Sequence, residues 1–162
     1  MKIRVGFGFD VHQLKDGIDF WLGGIIIPYK KGATGHSDAD VLIHSICDAL
    51  LGAANLGDIG KHFPDNSDDY KNIDSKILLS SVISMITEKG YEIINIDSTI
   101  CLQLPKLSPY IYSMKVELSK CMGIDIEDIS IKATTTERLG FIGKEKGIAA
   151  YATVLIKKIG VS

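Results

Sequence analysis

Two kinds of hydrophobic periodicity alternate along this 162-residue chain, and their order restricts the possible folds. A period of two residues predicts strands, and a period near 3.6 residues predicts helices. The predicted order is strand, strand, helix, helix, strand, helix, strand, strand. Because this order combines local hairpins with a crossover, we predict an α/β (α+β) fold with helices packed on one face of a mixed, four- to five-stranded sheet. The length predicts a single domain, residues 1–162.

The strand predictions rest on alternating apolar residues. Ile3 to Val11 has the pattern of a strand with one buried face. Residues 19–28 predict one further strand, in which Gly23-Gly24 marks a bulge or bend. Three later strands are expected over residues 94–104, 129–135 and 148–156.

Three helices are predicted from buried stripes that lie between capping signals and stops. Ser37, followed three positions later by Asp40, resembles a capping box before the first of them. The helices are expected to run from Ser37 to about Asn55, from Asp74 to Gly90, and from Ser108 to Gly123. Residues 57–72 show neither period, so we expect a long functional loop there.

Charge and composition exclude several classes of protein. Eighteen basic and twenty acidic side chains give a net charge of −2, which does not favour nucleic acid or anionic membrane as a partner. The longest uncharged stretch, residues 77–87, is too short to cross a membrane, and the N-terminus lacks a targeting pattern, so we expect a cytoplasmic protein. Cys47, Cys101 and Cys121 are odd in number and widely spaced, and we expect core thiols.

A metal site is one interpretation of three residues, Asp10, His12 and His44. Asp10 and His12 leave the same face of the first strand because they are two residues apart. His44 lies on the first predicted helix, with Asp40 and Asp48 one turn to either side, from where a carboxylate could orient the imidazole. Two histidines and one carboxylate leave a fourth zinc position open, as in catalytic sites. An ordinary histidine at a strand end is the alternative.

Two polar loops each allow two interpretations. Residues 35–38 combine an imidazole, a hydroxyl and helix N-terminal amides, which suits an anion, although simple capping by Ser37 also explains them. Asp58 and Asp65 lie among turn formers, where they could accept hydrogen bonds from sugar hydroxyls or serve the turns alone.

Residues 132–137, Lys-Ala-Thr-Thr-Thr-Glu, place a cation, three hydroxyls and a carboxylate at the end of a predicted strand. An edge strand would also favour threonine. Glu137 suits a hard divalent cation, because magnesium typically joins one or two carboxylates to substrate phosphates. Residues 103–107 form a strand-to-helix loop whose backbone groups could read a base.

Together these motifs resemble the 2-C-methyl-D-erythritol 2,4-cyclodiphosphate synthase family, and the likeness covers almost the whole chain. Several separate motifs in one order are far more specific than any one of them. The matching segments are Gly8-Phe9-Asp10-Val11-His12, His36-Ser37-Asp38 with Asp40-Val41 and His44, residues 48–53, Gly57-Asp58-Ile59-Gly60, Phe63-Pro64-Asp65, Pro105-Lys106, residues 132–137, and Leu139-Gly140-Phe141.

The resemblance implies an enzyme of non-mevalonate isoprenoid biosynthesis. Its substrate would be 4-diphosphocytidyl-2-C-methyl-D-erythritol 2-phosphate, and its products the cyclic diphosphate and CMP. It also implies a homotrimer whose active sites lie between subunits, with the zinc side from one chain and much of the cytidine side from the next. A last strand that is apolar on both faces, residues 147–156, fits such an assembly.

By matching positions, the resemblance implies zinc ligands at Asp10, His12 and His44. Glu137 would hold Mg²⁺ or Mn²⁺ between the α- and β-phosphates. The residues implied to stabilise the reacting phosphates are His36 and Thr135, and those implied to contact substrate are Asp10, Val11, His12, His36, Ser37, Asp58, Ile59, Gly60, Phe63, Pro64, Asp65, Asn66, Ser67, Leu102, Gln103, Leu104, Pro105, Lys106, Leu107, Ser108, Lys132, Ala133, Thr134, Thr135, Thr136, Glu137, Phe141 and Lys144.

This residue set suits a reaction in which the substrate supplies its own nucleophile. The 2-phosphate is already anionic and CMP needs no proton to leave, so the protein has to align a diphosphate and neutralise charge. Arg4 and Arg138 are the only arginines, which shifts neutralisation onto metals and Lys132. Two alternatives are a zinc phosphodiesterase that uses water on a nucleotide diphosphate and a non-catalytic trimeric ligand-binding protein.

The chain departs from the family pattern after Phe141. Many relatives carry Gly-Arg-x-Glu-Gly near the trimer axis, where an apolar cavity can hold an isoprenoid diphosphate, whereas this chain has Gly-Lys-Glu-Lys-Gly at 143–147. Copies of Lys144 and Lys146 would meet there, with the acidic partner shifted to Glu145. Because ammonium groups bind phosphate as point charges, we expect an axial anion site with poorer shape selectivity than arginines give.

Overall fold

The computed structural model describes residues 2–160, so Met1, Val161 and Ser162 of the predicted domain lie outside the described residues. Short 3₁₀ turns occur at 68–70, 108–110 and 126–128. The strands are β1 (Ile3–Asp16), β2 (Trp21–Leu22), β3 (Ile25–Ile26), β4 (Lys31–Thr34), β5 (Tyr91–Cys101), β6 (Ile129–Thr134) and β7 (Gly147–Lys158), and the helices are α1 (Val41–Ala53), α2 (Ile59–His62), α3 (Ser75–Glu88), α4 (Ile111–Met122) and α5 (Gly140–Gly143).

Five strands form one mixed sheet in the order β4-β1-β7-β5-β6. Only the β5–β6 pair is parallel, and the helix that crosses between these two strands is α4. The hydrophobic core lies between this sheet and helices α1, α3 and α4. The predicted mixed sheet with helices on one face is therefore confirmed.

The apolar side chains of β1 do not face this core. Ile3, Val5, Phe7, Phe9 and Val11 are 42–66% exposed in the single chain, because they lie on the sheet face that carries no helix. We call this face, made by the odd-numbered residues of β1 and β7, the open face. The alternation correctly predicted a strand, but the face expected to be buried within the chain is the open one.

Glycines occupy the helix-facing side of β1 because α1 packs directly on the strand. A Cβ added to Gly6 would lie 1.9 Å from the carbonyl oxygen of Ala49, and one on Gly8 would lie 1.9 Å from that of Ser45. Any side chain at these positions would push the helix off the sheet. The same close approach brings His44 of α1 next to Asp10 and His12, within the second half of β1.

The predicted strand over residues 19–28 is wrong. The segment forms a separate two-stranded hairpin, β2–β3, with Gly23 and Gly24 at its turn. Both glycines have positive φ (59° and 80°), which matches a tight hairpin turn and not a bulge. The unpredicted β4 follows instead and pairs with β1; its four residues are too few to show a period.

The helix ends correct two capping predictions. α1 begins at Val41, and Asp40, not Ser37, is its N-cap, with a side chain that accepts from Ile43 N–H. Ser108 belongs to a 3₁₀ turn and does not cap α4. The cap at Asp74 and the left-handed stop at Gly123 are confirmed.

The third predicted strand ends at Cys101, three residues earlier than expected.

All three cysteines are free; Cys47 is buried and Cys101 and Cys121 are half-buried. No helix within residues 2–160 is long and apolar enough to span a membrane.

Candidate metal and phosphate site

Asp10, His12 and His44 converge at one point between β1 and α1. Asp10 Oδ2 lies 2.9 Å from His12 Nε2 and 3.1 Å from His44 Nδ1, and the two histidine nitrogens are 3.1 Å apart. We call these residues the triad. Within residues 2–160 it is the one group of three or more His, Cys, Asp or Glu side chains whose ligand atoms all lie within 4.8 Å of one another.

The triad has the dimensions of one face of a coordination tetrahedron. In a tetrahedral zinc site with metal–ligand distances of about 2.0–2.1 Å, neighbouring ligand atoms are about 3.3 Å apart. The three ligand atoms here form a nearly equilateral triangle of 2.9–3.1 Å. A small cation would fit against this triangle and leave its fourth position directed into the adjoining pocket.

The remaining nitrogen of each imidazole has its own partner. His12 Nδ1 lies 3.1 Å from the carbonyl oxygen of Thr34, to which it can only donate. His44 Nε2 lies 2.9 Å from Ser75 Oγ and 3.0 Å from Ser37 Oγ. These contacts turn His12 Nε2 and His44 Nδ1 toward Asp10, where both nitrogens can become metal ligands.

The predicted carboxylate partners of His44 are wrong. Asp40 is fully buried and accepts from the backbone of Gly23, Gly24 and Ile43. Asp48 accepts from Ile59 N–H at 2.7 Å. Both carboxylates are thus occupied by backbone N–H groups, and the hydrogen bonds of the His44 ring are made to Asp10, His12, Ser37 and Ser75 instead.

The charge of Asp10 is set by its two neighbours. Burial alone would raise the pKa of the Asp10 carboxyl, but the hydrogen bonds and charges of His12 and His44 outweigh burial and lower that pKa to about 2. In turn Asp10 raises the pKa of His44 against the opposing effect of burial. Asp10 is therefore an ionised ligand at neutral pH.

A pocket of about 270 Å³ opens beside the triad. His36 lines it, and its Nε2 lies 2.9 Å from the carbonyl oxygen of Ser67. The lining consists of Asp10, His12, Gly35, His36, Ser37, His44, Ile59, Gly60, Phe63, Asp65, Tyr70, Ile73 and Leu78. Of these, Tyr70, Ile73 and Leu78 were not predicted from the sequence, since each has an ordinary explanation as a loop or helix residue.

A second pocket of about 380 Å³ lies at the ends of β5 and β6. Gln103 Oε1 accepts from Arg138 N–H at 3.1 Å, and Leu102 N–H donates to Thr134 at 2.9 Å, so the two loops are tied together. Its lining is Leu102, Gln103, Pro105, Lys106, Leu107, Ser108, Ile111, Ala133, Thr134 and Thr135. All of these except Ile111 were candidate site residues.

The two pockets share no lining residue. β1 and β6 are three strands apart in the sheet, a separation of about 14 Å at roughly 4.8 Å per strand.

Other candidate residues line neither pocket of the single chain. Lys132 is exposed on β6 and pairs with Asp97 of the neighbouring strand. Glu137 is exposed on the loop after β6 and is not part of the triad. The others outside both linings are Val11, Asp58, Pro64, Asn66, Ser67, Leu104, Thr136, Phe141 and Lys144.

Comparison with known sequences now places the chain. The sequence model of the YgbB family matches residues 3–157. The chain belongs to the YgbB family. The 2-C-methyl-D-erythritol 2,4-cyclodiphosphate synthase of Bacteroides fragilis is 65% identical over 159 residues, which are 98% of this chain and 100% of the relative. The enzyme of the same name from Parabacteroides distasonis is 62% identical over 160 residues, 99% of each chain.

Solved structures of relatives share the fold. IspF from Plasmodium falciparum, in a complex with CDP, superposes with a TM-score of 0.86 at 35% identity and covers 98% of this chain and 97% of its own. The bifunctional IspDF of Campylobacter jejuni gives a TM-score of 0.94 at 42% identity. That match covers 97% of this chain, which spans 42% of the larger protein.

Proposed function

We propose that this chain is a 2-C-methyl-D-erythritol 2,4-cyclodiphosphate synthase, a phosphorus–oxygen lyase of isoprenoid biosynthesis. It converts 4-diphosphocytidyl-2-C-methyl-D-erythritol 2-phosphate into the cyclic diphosphate and CMP. The support is its near full-length identity to synthases of that name. The observation that carries the chemistry is the triad, which presents three ligand atoms at coordination spacing beside a pocket.

We assign the triad to Zn²⁺ and Glu137 to Mg²⁺ or Mn²⁺. Two imidazole nitrogens and one carboxylate oxygen are zinc ligands, whereas one exposed carboxylate suits a hard cation that binds mainly to phosphate. When bound, these ions neutralise phosphate charge and polarise the phosphorus–oxygen bonds. The chain contributes ligands already turned toward each other by Thr34 and Ser75.

The reaction needs alignment more than acid–base chemistry. The 2-phosphate oxygen attacks the β-phosphorus, the bond from that phosphorus to the bridging oxygen breaks, and CMP leaves with the electron pair on its phosphate. His36 and Ser37 line the triad pocket and can donate to the phosphates there. Thr135 can donate from the other side, where it lines the second pocket.

We assign the second pocket to the cytidine part of the substrate. The P. falciparum relative has been solved with CDP, which is a cytidine nucleotide. Backbone groups of residues 102–108, a loop that Gln103 ties to Arg138, are suited to recognise the base edge. Asp58 and Gly60, on the first turn of α2, are assigned to the sugar hydroxyls.

We propose that the working enzyme is a homotrimer with sites shared between chains. The triad and Thr135 lie too far apart in one chain to hold one diphosphate, and the open face of β1 and β7 exposes a row of large apolar side chains. Such a surface is typical of an interface. Burial of the open faces would bring one chain's β5–β6 end toward its neighbour's triad.

Phosphorus NMR of the reaction mixture tests the activity. We expect the cyclic diphosphate and CMP to appear together from the cytidyl substrate when zinc and magnesium are supplied. His44→Ala serves as the matched inactive control. A linear phosphate product would establish the alternative, a water-using phosphodiesterase, and an unchanged substrate would contradict the proposal.

A further inference from the structure

Ser75 lies behind the triad and outside its pocket. It is the first residue of α3, and its side chain is fully buried. Its Oγ is 2.9 Å from His44 Nε2, while His44 Nδ1 faces Asp10. Ser75 therefore contacts the triad only at the imidazole of His44.

Asp38 fixes the direction of the hydrogen bond between Ser75 and His44. The Ser75 hydroxyl donates to Asp38 Oδ1, and Ser75 N–H donates to Asp38 Oδ2 at 3.0 Å. A serine hydroxyl has one proton, and the bond to Asp38 uses it. Toward His44, Ser75 Oγ therefore offers a lone pair, and His44 Nε2 has to carry the hydrogen.

This direction determines the tautomer of His44. A neutral imidazole carries one N–H, and with that hydrogen on Nε2 the lone pair is on Nδ1. Nδ1 is the atom that lies 3.1 Å from both Asp10 Oδ2 and His12 Nε2. The opposite tautomer would turn an N–H into the centre of the triad and exclude a cation.

Ser37 does not provide the same constraint, although its Oγ lies 3.0 Å from His44 Nε2. It is half-buried, lines the pocket, and accepts from Ala39 N–H at 3.2 Å. The hydroxyl proton of Ser37 is not directed at a carboxylate and is free to turn toward a bound anion. Only Ser75 is both buried and oriented by a charge.

We propose that Ser75 and Asp38 are positioning residues that hold His44 as the Nε2–H tautomer and so prepare Nδ1 as a metal ligand. The chain of donors runs from His44 Nε2 through Ser75 Oγ to Asp38. The inference rests on the proposed function only for the identity of the ion, because the hydrogen bonds that position His44 are made by this chain's own residues.

The first measurement is which His44 nitrogen carries a hydrogen in the zinc-loaded protein, read from nitrogen-15 NMR of the imidazole. Wild type should show the Nε2–H form, and Ser75→Ala a mixture of the two tautomers. Ser45→Ala is the matched control, since Ser45 is also fully buried, follows His44 on α1, and donates only to Leu42 at 2.8 Å. It should keep the Nε2–H form.

The second measurement is zinc affinity, by competition with a chromophoric chelator. We expect Ser75→Ala to weaken zinc binding by about 10–100-fold, the usual effect of removing a partner of a ligating histidine, and Ser45→Ala to leave it unchanged. Asp38→Asn should weaken it in the same range. The double variant should be no weaker than Ser75→Ala, because both residues act through one chain of hydrogen bonds.

An Nε2–H tautomer together with wild-type zinc affinity in folded Ser75→Ala would overturn the inference. If Ser75→Ala does not fold, Asp38→Asn decides the same question by the same two readouts. A wild-type protein that binds no zinc would contradict the assignment of the metal and with it this inference. Zinc binding that neither Ser75→Ala nor Asp38→Asn changes would overturn the inference alone.

Discussion

At the scale of single residues, chemistry here comes from hydrogen-bond direction as much as from residue type. The triad can bind a metal because hydrogen bonds to Thr34 and Ser75 orient the two imidazoles. They direct His12 Nε2 and His44 Nδ1 toward Asp10. Against the effect of burial, His12 and His44 lower the pKa of Asp10 to about 2, which keeps the carboxylate charged. A residue list without tautomers would therefore describe the site incompletely.

Glu137→Gln tests the assignment of the second cation at this scale. The amide keeps one oxygen ligand but loses the negative charge, so the magnesium concentration needed for half-maximal turnover should rise by about tenfold or more. Bound zinc, measured by elemental analysis, should stay at wild-type stoichiometry, since Glu137 is not part of the triad.

Glu88→Gln is the control, because Glu88 is an exposed glutamate at the end of α3. It should leave the magnesium dependence unchanged. A Glu137→Gln enzyme with wild-type magnesium dependence would move the second cation to other ligands.

At the scale of elements, α1 determines the site because of how closely it packs. The helix carries His44, anchors α2 through the bond from Ile59 N–H to Asp48, and touches β1 at Gly6 and Gly8. Those glycines set the spacing between helix and strand. The triad thus depends on residues that have no functional group.

Gly8→Ala should displace α1 and loosen the triad. Its Cβ would fall 1.9 Å from the backbone oxygen of Ser45, which has to move, so we expect a loss of stability of about 1–3 kcal/mol or more together with weaker zinc binding. Thermal unfolding and chelator competition measure the two effects.

Gly52→Ala is the matched control on α1, because a Cβ there meets no atom within 4 Å. This substitution in a helix should stabilise the fold by about 0.5–1 kcal/mol. A Gly8→Ala protein as stable as wild type would show that the helix can adjust its distance from the sheet.

At the scale of the whole molecule, a single chain has an uncovered apolar face and two separate pockets. The open face exposes Phe7 and Phe9 beside Tyr151, and the two pockets lie on strands that do not neighbour each other. Both are accounted for if several chains share the open faces and pair their pockets.

Phe7→Lys tests the proposed trimer. Phe7 is 64% exposed in the single chain, which should still fold, but a lysine on each copy would repel its counterparts in a buried interface. Sedimentation equilibrium should show a trimer for wild type and a monomer for the variant. Turnover should be lost in the variant while one zinc per chain remains, because the triad belongs to one chain.

Tyr112→Lys is the control, since Tyr112 is 72% exposed on α4, away from the open face. It should remain trimeric and active. A wild-type monomer with full activity would refute both the trimer and the shared site.

The loop before β7 supports a prediction about anions on the proposed trimer axis. Lys144 and Lys146 are exposed, and within residues 2–160 no ion pair involves them. Glu145, the expected acidic partner, is engaged elsewhere, because Tyr29 donates to its carboxylate and Lys31 to its carbonyl oxygen. Copies of the two lysines would therefore attract an anion without a carboxylate to balance them.

Calorimetric titration with geranyl diphosphate, in buffers with and without sulfate, measures that site. We expect binding that sulfate weakens severalfold, because ammonium groups recognise phosphate and sulfate alike as point charges. The Lys144→Ala variant should lose this competition. Tight binding that sulfate does not affect would contradict the prediction.

Periodicity and residue chemistry are local properties, so they were enough to predict the long strands and helices, the mixed sheet with helices on one face, and the candidate ligands Asp10, His12 and His44. They missed the short β4, α2 and α5. They misjudged the segment 19–28, where two positive-φ glycines fold a strand-like pattern back on itself. The face of β1 that the helices cover became known only from the tertiary structure. Alternation shows which residues share a face of the strand, but not which face the helices cover. Tertiary structure also decided that Ser75, from a distant helix, and not Asp40 or Asp48, orients His44, because a hydrogen-bond partner is chosen by packing and not by nearness along the chain.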